Sequence, residues 1–154
     1  MASLTSVFER AAADHGERPA VRMDDLVLSY AELRAAAGSA TSLLSSLGVA
    51  PGDRVGIMLP NVPAFPIAYY GTLGAGAIVV PMNPLLKRRE VAYYLGDSGA
   101  KVLFAWHAAA GEAAKGAAET GTRETLVAGS APGARRGSSV RPAAWALTGT
   151  DTRR

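Results

Sequence analysis

The 154-residue sequence contains no cysteine. That absence excludes a disulfide framework, a thiolate metal site and a catalytic thiol. Histidine occurs twice, at His15 and His107, with no paired spacing, so no metal-binding set is expected. The opening stretch MASLTSVFERAAADHGE carries Glu9 and Arg10 and has no continuous apolar region. No secretory signal is therefore expected, and a cytoplasmic setting is the expectation.

Charge is missing from residues 55 to 86, a window long enough to raise the question of a membrane span. Five prolines, Asn61, Asn83 and several glycines interrupt that window, leaving no clean helix of about 20 residues that could satisfy its backbone in lipid. A buried α/β core is the expectation instead. The net charge of +3 and the pI near 9.5 are unevenly distributed. Residues 1 to 127 hold three Lys and eight Arg against twelve acidic residues, a net of −1, and residues 128 to 154 hold five Arg against one Asp, a net of +4. No specific nucleic-acid partner is expected, because an arginine tail alone gives only salt-sensitive, sequence-blind binding.

Three short apolar runs are present: Val55 to Leu59, Ala77 to Val80 and Val102 to Phe104. Runs without polar alternation suit strands covered on both faces, which points to a parallel sheet with crossover helices. Between the first two runs, Asn61 is positioned to cap a helix and Pro63 falls in its first turn, while Pro66 is an awkward third proline. Gly74 and Gly76 end that helix. Lys87 to Leu95 predicts a second helix with Val91, Tyr94 and Leu95 inward, and Asp97-Ser98-Gly99 is turn chemistry before the third strand.

Upstream, Thr5 to Asp14 predicts a short helix. Ala20 to Met23 and Leu26 to Ser29 predict a hairpin turning at Asp24-Asp25. Ser29-Tyr30-Ala31-Glu32 is a capping box, opening a helix that runs to about Leu47 and stops at Gly48. Downstream, Trp106 to Ala118 is helix-compatible and Glu124 to Val127 predicts a fourth strand. From Ala128 the text is rich in Gly, Ala, Ser, Arg and Pro and has no period. An irregular, disordered tail over 128–154 is expected, following an α/β unit over 1–127.

Taken together, Gly52-Asp53-Arg54-Val55, Leu59-Pro60-Asn61, Ala75-Gly76-Ala77-Ile78-Val79-Val80-Pro81-Met82-Asn83-Pro84 and Leu95-Gly96-Asp97-Ser98-Gly99-Ala100-Lys101-Val102 resemble the amino-terminal portion of the AMP-forming acyl-CoA synthetases, in the adenylate-forming ligase superfamily. The resemblance covers roughly residues 1 to 127. It implies an α/β fold with a mostly parallel sheet, here as a partial amino-terminal subdomain. It also implies a family chemistry: ATP and Mg2+ activate a carboxylic acid, fatty or otherwise apolar, as its adenylate, and the acyl group then passes to CoA.

That chemistry needs a Ser/Thr/Gly-rich loop ending in lysine to neutralise pyrophosphate, an acid for the ribose and a mobile lysine. None of these is found, so no catalytic residue is assigned, and the chain is expected to be inactive alone and to bind no cofactor tightly. Thr120-Gly121-Thr122 and Thr148-Gly149-Thr150 contain part of such a loop without the lysine. Gly71-Thr72-Leu73-Gly74-Ala75-Gly76 has the glycines but precedes a strand, the reverse of the order that aims N–H groups at a phosphate. Some relatives place a basic residue after Asn83-Pro84 to contact CoA phosphates; here that position is Leu85, and Lys87 and Arg88 are the substitutes, against a plain reading as a solvated helix start. The expectation is a fragment of an acid–CoA ligase. The alternatives are a non-catalytic α/β interaction module that associates through exposed apolar surface, or a truncated or frameshifted product whose tail is foreign to the fold.

Overall fold

The computed structural model describes residues 3–129 and, as backbone, 148–150. In chain order the elements are α1 (Leu4–Asp14), β1 (Pro19–Met23), β2 (Leu26–Ser29), α2 (Tyr30–Ser46), β3 (Arg54–Met58), α3 (Ala64–Gly74), β4 (Ile78–Pro81), α4 (Arg88–Ser98) and β5 (Val102–Trp106). A 3-10 turn (His107–Ala109), α5 (Ala110–Ala117), β6 (Glu124–Ala128) and β7 (Thr148–Thr150) complete the set. β1 and β2 form a separate antiparallel hairpin, and the other strands form one sheet in the order β4-β3-β5-β6-β7. β4, β3, β5 and β6 are parallel, as the three apolar runs require.

The lack of polar alternation has a direct cause in packing. Val55 and Ile57 of β3 join Val102 and Phe104 of β5 on one face, against Leu44 of α2 and Ala64 and Ala68 of α3. Met58, Leu103 and Ala105 point to the opposite face, against Val91 and Leu95 of α4 and Ala113 and Ala117 of α5. Val55 to Met58 of β3 and Val102 to Ala105 of β5 are therefore all buried. A third cluster seats Phe8 of α1 with Leu28, Leu33, Ala37 and Ile67, and the Phe8 ring stacks on Tyr70 at 4.0 Å.

The capping box is present in both directions: Ser29 Oγ accepts from Glu32 N–H at 3.2 Å, and Glu32 accepts from Ser29 N–H at 2.7 Å. Two expectations are corrected. Asn61 does not cap α3; Pro63 is the cap residue and no side chain supplies a cap bond. Pro66 is tolerated because it lies in the first turn, where its missing N–H has no helical acceptor. Tyr94 faces outward at 43% exposure, because Val91 and Leu95 alone set the buried seam of α4.

β4 is the sheet edge, so Ile78 is 49% exposed despite its apolar side chain. Ile78 N–H and Met82 N–H donate to the carbonyls of Asp53, just before β3, and Ile57, on β3. By alternation the backbone nitrogens of Val79 and Pro81 are turned to the open edge, and Pro81 has no N–H to offer, which blunts the edge against strand addition. Of the expected tail, Ala128 closes β6 and Thr148–Thr150 pair antiparallel with Thr125 to Val127. Residues 130–147 and 151–154 lie outside the described residues.

Candidate functional site

In an open parallel sheet, ligands meet the loops that leave the carboxyl ends of the strands. Here those are the loop after β3 (residues 59–63), the loop after β4 (residues 82–87) and the 3-10 turn after β5. The loop after β4 carries both basic residues singled out in the sequence. Asn83 organises it: its side-chain oxygen accepts from Leu85 N–H at 2.9 Å and its carbonyl accepts from Leu86 N–H at 3.1 Å. Leu85 is 79% exposed, so the position after Asn-Pro is filled by a solvated apolar side chain.

Lys87 is the N-cap residue of α4 and Arg88 is its first helical residue. Their amides are already engaged by carboxylates. Lys87 N–H donates to Glu90 at 2.9 Å, and Arg88 N–H donates to Glu112 of α5, also at 2.9 Å. The Arg88 guanidinium pairs with Glu119 at 2.7 Å. Lys87 and Arg89 have no ion-pair partner among the described residues. Three acids thus surround three bases at this helix start, and an incoming phosphate meets Glu90, Glu112 and Glu119 as well as the cations. The Arg88 N–H holds the Glu112 carboxyl below its usual range, with Lys115, Lys87 and Arg88 adding to the effect against partial desolvation.

The sequence's other phosphate-loop fragments have structural roles. Thr120 Oγ1 donates to Ala117 carbonyl at 2.8 Å and Thr122 Oγ1 to Ala100 carbonyl at 2.9 Å, closing the α5–β6 turn. Gly71 and Gly74 are the points where α3 presses on α2: a methyl added at Gly71 would sit 2.5 Å from Ala40 Cβ, and one at Gly74 2.5 Å from Thr41 Oγ1. Thr148-Gly149-Thr150 is strand β7. Among the described residues no group of three His, Cys, Asp or Glu side chains is placed to hold a metal, and no helix is long and apolar enough to cross a membrane.

A contact that the sequence gave no means of pairing lies at the opposite, amino edge of the sheet. Asp53 Oδ2 accepts from Lys101 Nζ and from Ala50 N–H, both at 2.8 Å, joining two of the motifs that carry the resemblance. The Lys101 bond, then the Ala50 N–H, holds the Asp53 carboxyl below its usual range. A depressed carboxyl pKa contributes stability above the unfolded value, about 3.9, and loses it as pH falls through the folded one. The expected outcome is that Asp53→Asn lowers the melting temperature at pH 7, and that the gap to wild type closes as pH falls below 4. A gap independent of pH would assign Asp53 a role other than its charge.

A family model described as AMP-binding enzyme matches residues 8–146, running past Ala128. The chain is 39% identical over 102 residues to a long-chain-fatty-acid–CoA ligase of Salmonella typhimurium, covering 66% of this chain and 18% of the relative. The structure is similar to that of a benzoate CoA ligase from Burkholderia xenovorans LB400, with a TM-score of 0.78 and 26% identity over 84% of this chain and 26% of that one. A Mycobacterium tuberculosis fatty acyl CoA synthetase gives a TM-score of 0.73 and 29% identity over 80% of this chain and 26% of that one. The chain thus spans about a fifth of the length of the curated relative.

Proposed function

The chain belongs to the AMP-binding enzyme family, and from that premise we propose that it is the amino-terminal α/β part of an AMP-forming acid–CoA ligase for fatty or other apolar acids, inactive in isolation. The observation that carries this reading is the pairing of a family match over residues 8–146 with the absence, from the whole sequence, of a phosphate loop ending in lysine. On this reading ATP, Mg2+, CoA and a carboxylic acid are ligands of the complete ligase, which works in the cytoplasm where ATP and CoA are supplied. Residues 1–127 are the structural unit. ATP–pyrophosphate exchange with a panel of carboxylic acids tests the proposal, and the chain alone is expected to support none.

Within this reading, Lys87 and Arg88 are the residues assigned to the CoA phosphates, with Lys87 the stronger candidate because its ammonium has no ion-pair partner among the described residues. CoA titrated into the labelled chain is expected to shift the amides of residues 85–89 weakly and salt-sensitively, and Lys87→Ala to remove most of the shift. Equal shifts in the variant would return Lys87 to a plain solvated helix start.

A further inference from the structure

The two edges of the large sheet are protected in different ways. At the β4 edge the protection is covalent: the nitrogens turned outward are those of Val79 and Pro81, and Pro81 has no N–H. At the other edge β6 presents Thr125, Leu126 and Val127, an uncharged run of strand-forming residues. Thr125 and Leu126 are buried, so it is the backbone of this run that a new partner would meet. That backbone is covered by β7, which pairs Thr148 with Val127, Gly149 with Leu126 and Thr150 with Thr125. β7 is three residues long and runs antiparallel to β6, whereas β4, β3, β5 and β6 run parallel to one another. Thr148-Gly149-Thr150, which lacks the lysine of a phosphate loop, thus has a place at the sheet edge.

We propose that β7 is a removable edge cap, and that the β6 edge beneath it pairs with the β6 edge of a second copy of this chain when β7 is displaced. A bare edge strand is a template for another strand. β7 shows that this edge accepts an antiparallel partner at residues 125–127. Two identical edges running antiparallel about a twofold axis satisfy each other's backbone groups and close the assembly as a dimer. Charge does not oppose that pairing: a register centred on Leu126 puts Glu124 opposite the second copy's Ala128, so no like charges meet. Residues 129–147 tie β7 to β6, and a strand tied in this way competes at an effective concentration on the order of millimolar. At micromolar concentrations the cap therefore stays on and the chain is a monomer. The sequence directly after β7, Asp151-Thr152-Arg153-Arg154, supplies the charges that discourage a further strand from adding to it. The cap uses none of the residues assigned to CoA and does not rest on the ligase reading.

Sedimentation of the 154-residue chain tests the proposal. The wild-type chain is expected to be a monomer at micromolar concentrations. The triple variant Thr148→Pro/Gly149→Pro/Thr150→Pro removes every N–H of β7. It is expected to keep the helical circular dichroism of the wild type while its weight-average mass at least doubles at the same concentration. A synthetic peptide of residues 146–152, added at millimolar concentration, is expected to return the variant to a monomer; the same peptide with the three prolines is not. Micromolar association of the wild-type chain, a folded variant that stays monomeric, or association that the peptide leaves unchanged would each overturn the proposal. An unfolded variant would overturn it too, since a cap is dispensable to the fold beneath it. ATP–pyrophosphate exchange reads none of these outcomes, so this proposal and the ligase reading fail separately.

Discussion

Replacing Phe104 with alanine is expected to cost about 3–5 kcal/mol and to lower the melting temperature by roughly 10–20 °C. Phe104 is fully buried in β5, which lies between β3 and β6, and its ring sits in the cluster formed with Val55, Ile57, Leu126 and the helices α2 and α3. Strands hydrogen-bonded on both sides have little freedom to close a cavity, so the loss of packing adds to the loss of apolar burial. Against a total stability of about 5–15 kcal/mol for a domain, this one change removes a large share. Thermal and urea unfolding followed by circular dichroism measure it. A cost below about 1.5 kcal/mol would mean that Phe104 is not in the core.

The second large effect is a change of a single carbon. Gly116→Ala in α5 places a methyl 2.6 Å from Val91 Cβ and 2.7 Å from the Arg88 carbonyl oxygen. The obstruction is the backbone and the stem of a β-branched side chain, so α4 and α5 must separate. Overpacking of this kind costs about 1–3 kcal/mol, and more where backbone must move. Alanine's helix propensity returns up to about 1 kcal/mol, which leaves a net destabilisation of roughly 2 kcal/mol. Gly38→Ala, in α2 with nothing within 4 Å of the added carbon, is the control and is expected to stabilise by up to about 1 kcal/mol. If both variants behaved alike, the close crossing of α4 and α5 would be wrong. Separation of these helices also pulls Glu112 and Glu119 from Arg88, so the same variant is expected to loosen the start of α4.

The two opposite signs illustrate what a sequence does and does not disclose. The parallel sheet was readable because Val55 to Leu59 and Val102 to Phe104 have no polar residue on either face. The hairpin and α2 were readable from Asp24-Asp25, Ser29 and Glu32, all local chemistry. Asn61 misled, since residues 60–65 close their own turn through Val62 N–H to Pro60 carbonyl and Phe65 N–H to Val62 carbonyl, with no acceptor needed from a side chain. Tyr94 misled because a helix seam of Val91 and Leu95 is narrower than the apolar residues available to it.

At the candidate site, the position of Lys87 and Arg88 at a strand's carboxyl end was legible. The neutralisation of Arg88 was not, because Glu112 and Glu119 arrive from α5 and the turn after it, some 24 and 31 residues downstream. The Asp53–Lys101 pair spans 48 residues and was hidden for the same reason.

ATP–pyrophosphate exchange is the most direct measurement of whether a ligase scaffold is present without its nucleotide machinery. With the purified chain, magnesium and acids from acetate to palmitate and benzoate, incorporation of labelled pyrophosphate into ATP is expected to stay at the level of the protein-free control. Acid-dependent incorporation that rises in proportion to the chain's concentration would show that the 154 residues handle ATP after all, and would contradict the division of labour proposed for this fold.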